Sequence, residues 1–111
     1  MEIKTDTLKR CVLVTVSGRI DSATSPQLKQ AFIDVIEAGQ HKIVLDMEAV
    51  DFISSAGLWV LVDAQKKCKR FNRGELVIAC ASQRVSSALE LAGFDRYFKL
   101  FDDTIQAVGS F

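Results

Sequence analysis

The sequence predicts an α/β fold: a mixed sheet of four to five strands with an N-terminal hairpin and about four helices. Two observations carry that expectation. Short apolar runs rich in β-branched residues, Cys11 to Val16, Ile43 to Leu45 and Leu76 to Ala81, are separated by stretches whose apolar residues recur at helical spacing. Helix-start signals at Ser25-Pro26, Ser54-Ser55, Ser82 and Asp102-Asp103 each come after such a run, so strand and helix alternate as in βαβ units. Right-handed crossovers make the strands of such units parallel.

Residues 1 to 9 alternate weakly and suit an edge strand, with Lys4, Asp6 and Lys9 blunting it against aggregation. Cys11 to Val16 is a firmer strand, placing Val12, Val14 and Val16 on one face and Cys11, Leu13 and Thr15 on the other. The two pair as a hairpin through Lys9-Arg10. Gly18 to Thr24 reads as a polar connection, ended by Ser25 as cap and Pro26 at the first helical position. Leu28, Ala31, Phe32, Val35 and Ile36 then form one apolar stripe that must cover a sheet, and Gly39 is placed to end the helix.

The next strand spans His41 to Met47, and its core Ile43-Val44-Leu45 suits burial on both faces. Asp46 to Asp51 breaks that run and reads as a loop. From Ser55 the spacing is helical to about Phe71, with Gly57 in the first turn, and Leu58, Leu61 and Val62 turn inward. After the Asn72-Arg73-Gly74 break, Leu76 to Ala81 is a further strand. Ser82 caps a helix with Val85, Ala88, Leu89 and Ala92 inward and Gly93 at its end. Phe94 to Phe101 holds four aromatics and a short strand, and Asp102-Asp103 opens a last helix with Ile105 and Val108 inward.

Size and charge limit the functional classes. With 111 residues, 49% of them apolar, residues 1–111 make one globular domain with a real core and no linker. Fourteen basic and fourteen acidic side chains cancel, so no net field draws in nucleic acid or an anionic membrane, and neither is an expected partner. The one dense basic run, Lys66-Lys67-Cys68-Lys69-Arg70, falls in the last turns of a helix, where cations offset the dipole. No apolar run approaches a membrane span and Met1 to Lys4 begins no signal peptide, so a cytosolic protein, monomeric when free, is expected. Cys11, Cys68 and Cys80 form no C-x-x-C pair and read as buried free thiols.

The stretch Val50 to Leu61, V-D-F-I-S-S-A-G-L-W-V-L, is the best seat for function. Ser54 or Ser55 is an N-cap, its oxygen placed to accept from the free amides of Ala56, Gly57 or Leu58. Those amides and the positive end of the helix dipole favour an anion, and a serine there carries a phosphate comfortably. Because the loops at Asp21, Ser54 and Ser82 all follow strands, parallel strands bring them to one rim, where such sheets usually bind.

Enzyme chemistry finds little support. Ile53-Ser54-Ser55-Ala56-Gly57 is an incomplete G-x-S-x-G elbow with Ile53 in place of the first glycine. The one histidine, His41, opens the preceding strand and so stands at the far end of the sheet from Ser55. No phosphate or dinucleotide loop and no metal-ligand spacing is present, so no catalytic residue, cofactor or metal is expected. Asp46 and Asp51 bracket a loop, and solvation or capping accounts for them better than a cation does. Trp59 lies on the polar stripe of its helix, over Asp63, Lys66 and Arg70. It either anchors a partner one turn from the serines or packs under the last helix or Phe111.

Phe52 to Leu58, read F-I-S-S-A-G-L, with Gly18-Arg19-Ile20-Asp21 upstream and Val77-Ile78-Ala79-Cys80 and Leu91-Ala92-Gly93-Phe94 downstream, resembles the STAS domain of bacterial anti-sigma-factor antagonists. The match spans nearly the whole chain. The resemblance implies a protein without catalysis of its own. Unmodified, such a protein binds an anti-sigma serine kinase and frees a sigma factor; phosphorylation releases it, and a phosphatase resets it. Aligned on Gly57-Leu58, the family's usual Asp-Ser-Ser/Thr-Gly-Leu puts the phosphoacceptor at Ser55, with Ser54 replacing the preceding aspartate and Ala56 the following hydroxyl. Asp21 matches the acidic residue of the neighbouring loop. The implied partner surface comprises Asp21, Ser22, Thr24, Asp51, Ser54, Ala56, Gly57, Leu58 and Trp59. The alternatives are a STAS adaptor of a transporter or signalling complex that is never phosphorylated, and a module holding a nucleotide or lipid at the rim.

Overall fold

The five strands of the sheet follow chain order from one edge to the other, in a computed structural model that describes residues 1–111. β1 (Glu2–Thr7) and β2 (Val12–Ile20) form an antiparallel hairpin. Its turn is closed by the Leu8 amide, which donates to the Cys11 carbonyl at 2.8 Å. β3 (Lys42–Ile53), β4 (Glu75–Ala79) and β5 (Leu100–Phe101) then add in parallel. The connections are α1 (Ser25–Glu37), α2 (Ser55–Lys69) and α3 (Gln83–Leu91), and α4 (Thr104–Gly109) follows β5. This is the mixed sheet, hairpin and four helices expected from the alternation of patterns.

The main core joins the buried stripes of α1, α2 and α3 to one face of the sheet, including Val12, Val14, Val16, Ile43 and Leu45. A strand order that advances steadily across the sheet, with every crossover of one hand, requires those helices to share a face. The opposite face carries a smaller cluster, where Ala107 of α4 meets Cys11, Val44, Val77 and Ala79. Gln65 is buried between layers with every polar atom used. Its amide nitrogen donates to the carbonyls of Leu76 and Tyr97, both at 3.0 Å, and its oxygen accepts from the Leu76 amide at 2.7 Å. One side chain thereby ties α2 to β4 and to the segment entering β5. Burial pushes the Cys68 thiol up to about 12, and Cys11 is also buried and raised; Cys80 is half-buried.

Several elements depart from the expected boundaries. Gly18 to Ile20 belong to β2 rather than to a loop, and β3 runs on through Asp46 to Asp51 as far as Ile53. The reason is two irregularities in the β2–β3 register. Between Thr15↔Asp46 and Ser17↔Ala49, and again between Gly18↔Val50 and Arg19↔Phe52, β3 advances one residue more than β2. Each extra residue is a β-bulge that turns the inward positions out of strict alternation. Met47, Val50 and Ile53 are therefore the buried residues of this stretch. Asp46 and Asp51 sit on a strand and bracket no loop.

The cap of α1 is Thr24, with Ser25 as its buried first residue and Pro26 next. Gly39 ends the helix as expected: at φ +91° its amide donates to Ile36 and the next amide, Gln40, to Val35, the paired bonds of a Schellman end. Ser82 caps α3 by accepting from the Val85 amide at 3.2 Å, and Val85 and Leu89 are buried, but Ala92 lies exposed past the helix end. In α4 the inward residue is Ala107, and Ile105 is 82% exposed.

Candidate functional site

β2 and β3 end level, with Ile20 opposite Ile53. The Ser54 amide donates to the Ile20 carbonyl at 2.8 Å, so the start of α2 and the loop at Asp21 are joined through the backbone. Ser54 is the N-cap: its backbone is extended, its Oγ accepts from the Gly57 amide at 3.2 Å and its carbonyl accepts from the Leu58 amide at 2.9 Å. That settles which serine caps. Ser55, the first helical residue, is exposed, as is Ala56. The amides of these two positions have no partner within a helix, and no acidic side chain occupies the first turn.

Gly57 and Leu58 are buried, so their part is to seat the helix rather than to offer surface. A Cβ on Gly57 would stand 2.6 Å from Ile20 Cγ2 and 2.9 Å from Ile53 Cγ1. Only a glycine lets the first turn of α2 lie this close to the two strand ends. Trp59 is 57% exposed and is held at one edge by Phe94, in a T-shaped contact with centroids 5.4 Å apart. Its neighbour is thus a residue of the segment that follows α3, and not the last helix or Phe111.

The Asp21 loop is closed by its own hydrogen bonds. Asp21 Oδ1 accepts from the amides of Ala23 and Thr24, both at 3.0 Å, and lies 3.1 Å from the Thr24 hydroxyl. That hydroxyl accepts from the Asp21 amide at 2.9 Å and is 2.9 Å from the Arg19 carbonyl. The Thr24 amide and hydroxyl foremost, with the Ala23 amide and the Arg19 charge, hold the Asp21 carboxyl below its ordinary value, so it stays ionised. Ser22 is exposed at the tip. Two further residues belong to this surface, Arg19 and Phe52. The Arg19 guanidinium lies 4.3 Å from the Phe52 ring centroid, and its Nε is 4.0 Å from Asp21 Oδ2. Arg19 falls within the Gly18-to-Asp21 motif, but its pairing with Phe52 follows from a register that the bulges conceal.

Of the three loops expected at one rim, two meet. β4 stops opposite Asp46, well short of Ile53, so the Ser82 loop stands a step down the sheet. There Ser82, Arg84, Glu48 and the exposed Asp51 line a hollow of about 450 Å³. Asp46 lies apart from Asp51, with Glu48 and Cys80, their ligand atoms within 4.8 Å of one another. Asp46 Oδ1 accepts from the Glu48 amide at 3.0 Å, a local turn bond that accounts for the aspartate without a cation. His41 stands before β3 and faces the Gly39 carbonyl at 3.1 Å, at the far end of the strand from Ser55.

The chain is similar to known proteins over most of its length. Anti-sigma factor antagonist candidate BtrV of Bordetella bronchiseptica is 28% identical over 111 residues, covering 100% of this chain and 95% of its own. The anti-sigma-B factor antagonist of Staphylococcus aureus (strain NCTC 8325 / PS 47) is 29% identical over 93 residues, 84% of this chain and 85% of its own. The crystal structure of an anti-sigma factor antagonist from Mycobacterium paratuberculosis superimposes with a TM-score of 0.88 at 26% identity, covering 98% of this chain and 92% of that one. The model of the STAS domain family matches residues 2–107, and the chain belongs to that family.

Proposed function

We propose that this protein is an anti-sigma-factor antagonist controlled by phosphorylation of Ser55. The unmodified form binds an anti-sigma serine kinase and so frees a sigma factor; the phosphorylated form lets the kinase go, and a phosphatase restores the first state. In this reading residues 1–111 act as one monomeric, cytosolic STAS unit with no catalysis or cofactor of its own, the ATP belonging to the kinase. The names of its relatives support the class. The observation that carries the choice of acceptor is the division of labour between the two serines: the Ser54 hydroxyl is engaged as the cap, whereas Ser55 is exposed at the first helical position.

The physics of the switch is adequate. A phosphate adds about −1.5 to −2 charges. On the free protein it is tolerated, because it sits at the positive end of α2 with unpaired amides beside it. At an interface that also covers the ionised Asp21 and the exposed Asp51, the same charge must be desolvated among like charges, which costs several kcal/mol. Moving a complex from mostly formed to mostly released takes about 5.5 kcal/mol. Ser22, Thr24, Ala56 and Trp59 complete the contact surface, with Trp59 as its aromatic anchor.

The test is incubation with the cognate kinase and ATP, read by intact mass, and titration of the kinase with Ser55→Ala and Ser55→Asp. One phosphate on wild type, none on Ser55→Ala, and binding by Ser55→Ala but not by Ser55→Asp are expected. Equal binding by the two variants would overturn the reading.

A further inference from the structure

The end of α2 remote from Ser55 is also organised. Lys42, at the start of β3, comes together with Lys69 and Arg73 around a hollow of about 420 Å³. Lys66 stands exposed on the last turn of the same helix and Arg70 at its C-cap. The acidic side chain lining the hollow, Glu75, is paired with Lys99 at 3.3 Å, and Phe111 lines the hollow too. Beside Arg73, Phe71 is 78% exposed, with the guanidinium groups of Arg70 and Arg73 over its ring at 5.2 and 5.3 Å. Offsetting the helix dipole accounts for cations in the last turn. It does not account for Lys42 on another element, for Arg73 beyond the helix, or for an exposed phenyl ring beside the arginines. The balanced net charge hides this cluster, because charges of opposite sign cancel in the sum while remaining apart in space.

We propose that this basic end, with Phe71 as its wedge, docks on an anionic phospholipid surface. Charge complementarity chooses the surface, and the apolar ring distinguishes a lipid from other polyanions. An exposed aromatic ring flanked by Arg70 and Arg73 suits the headgroup region, where the ring reaches toward the acyl boundary while the cations stay among the phosphates. A single-stranded nucleic acid instead needs open ring faces for stacking along a groove, and here two guanidinium groups already lie over the ring. A protein hot spot sits in a pocket whose neighbours exclude water, whereas this ring stands among hydrated charges. Fifteen helical residues, about 22 Å, separate this end from Ser55. Docking would leave the Ser55 surface turned away from the lipid and open to its partner. The proposal does not depend on the phosphorylation reading.

Each cation near such a surface is worth about fivefold in partitioning. The test is co-sedimentation of the full chain with phosphatidylcholine vesicles that contain phosphatidylserine, against vesicles of phosphatidylcholine alone. Binding to the first only, abolished at about 0.5 M salt, is expected. The exposed double reversal Lys69→Glu/Arg70→Glu should lower partitioning at least about twentyfold, and Phe71→Ser about tenfold at unchanged charge. Circular dichroism would establish that both variants are folded. Absence of vesicle binding, or unchanged binding by either folded variant, overturns the proposal. So does retention on a poly(U) or poly-glutamate matrix without binding to the phosphatidylserine vesicles.

Discussion

Removing the two serine hydroxyls one at a time should have opposite consequences for stability and for modification. Ser54→Ala deletes the acceptor that holds the Gly57 amide at 3.2 Å. Gly57 is buried against the strand ends, so water is a poor replacement and the cost falls in the upper part of the capping range, about 1 to 2 kcal/mol. For a domain of this size that lowers Tm by roughly 5 to 10 °C. Ser55→Ala removes an exposed hydroxyl from a first-turn position where alanine is at least as good a helix former, so stability should move by no more than about 0.5 kcal/mol. Ser54→Asp should restore most of the loss, because a carboxylate also caps and favours the positive helix end. Thermal melts of the three variants at neutral pH, followed by circular dichroism, measure the ranking. Phosphorylation by the cognate kinase should show the reverse pattern, surviving in Ser54→Ala and vanishing in Ser55→Ala. If Ser54→Ala melts with wild type, or if Ser55→Ala is the less stable of the two, the assignment of cap and acceptor is wrong.

Gly57→Ala should cost about 1 to 3 kcal/mol in urea unfolding, since its methyl would press on Ile20 and Ile53; a neutral result would mean that α2 has room to lift. Gln65→Leu keeps the volume but strands the Leu76 amide and the carbonyls of Leu76 and Tyr97, so a loss of about 3 kcal/mol is expected from the same assay. Asp21 is held below its ordinary value in the folded chain, so it binds protons more weakly there than when unfolded. Its contribution is therefore present above the ordinary carboxylate value and is lost as pH falls through the lowered one. Asp21→Asn should flatten that acid limb of a stability–pH profile and leave a smaller difference from wild type at the acid end than at neutrality.

The elements legible in the sequence are those whose signals are local. The α1 stripe, the glycine at its end and the serine caps of α2 and α3 depend on residues within a turn of one another, and the structure places them accordingly. What was not legible depends on residues far apart. The stretch from Asp46 to Asp51 reads as a loop because two bulges replace alternation with inward residues at Met47, Val50 and Ile53, and a pattern of threes belongs to no regular strand. Trp59 could be assigned to a stripe but not to Phe94, which arrives from another helix end. In α4, six residues make too short a helix for periodicity to choose between Ile105 and Ala107 as the inward face.

The same long reach of β3 explains why the candidate site is where it is. An unbulged strand ending near Met47 would have released α2 level with the end of β4 and beside the Ser82 loop. Extended to Ile53 along β2, it instead delivers Ser54 and Ser55 to the Asp21 loop, where the bond between the Ser54 amide and the Ile20 carbonyl closes the junction. The cost of that extension is a β3 edge left unpaired by β4 beyond Asp46. Val85 and Leu89 of α3 are buried in the same core as Met47 and Val50, and the helix packs directly on this strand. Ser54, standing where the family resemblance implies an aspartate, fits the same logic. Both residue types cap a helix through a side-chain oxygen, so the exchange alters the charge beside Ser55, the proposed acceptor, while preserving the helix start that presents it. Under the proposed function, a change of kinase preference without a change of fold is the consequence expected of it.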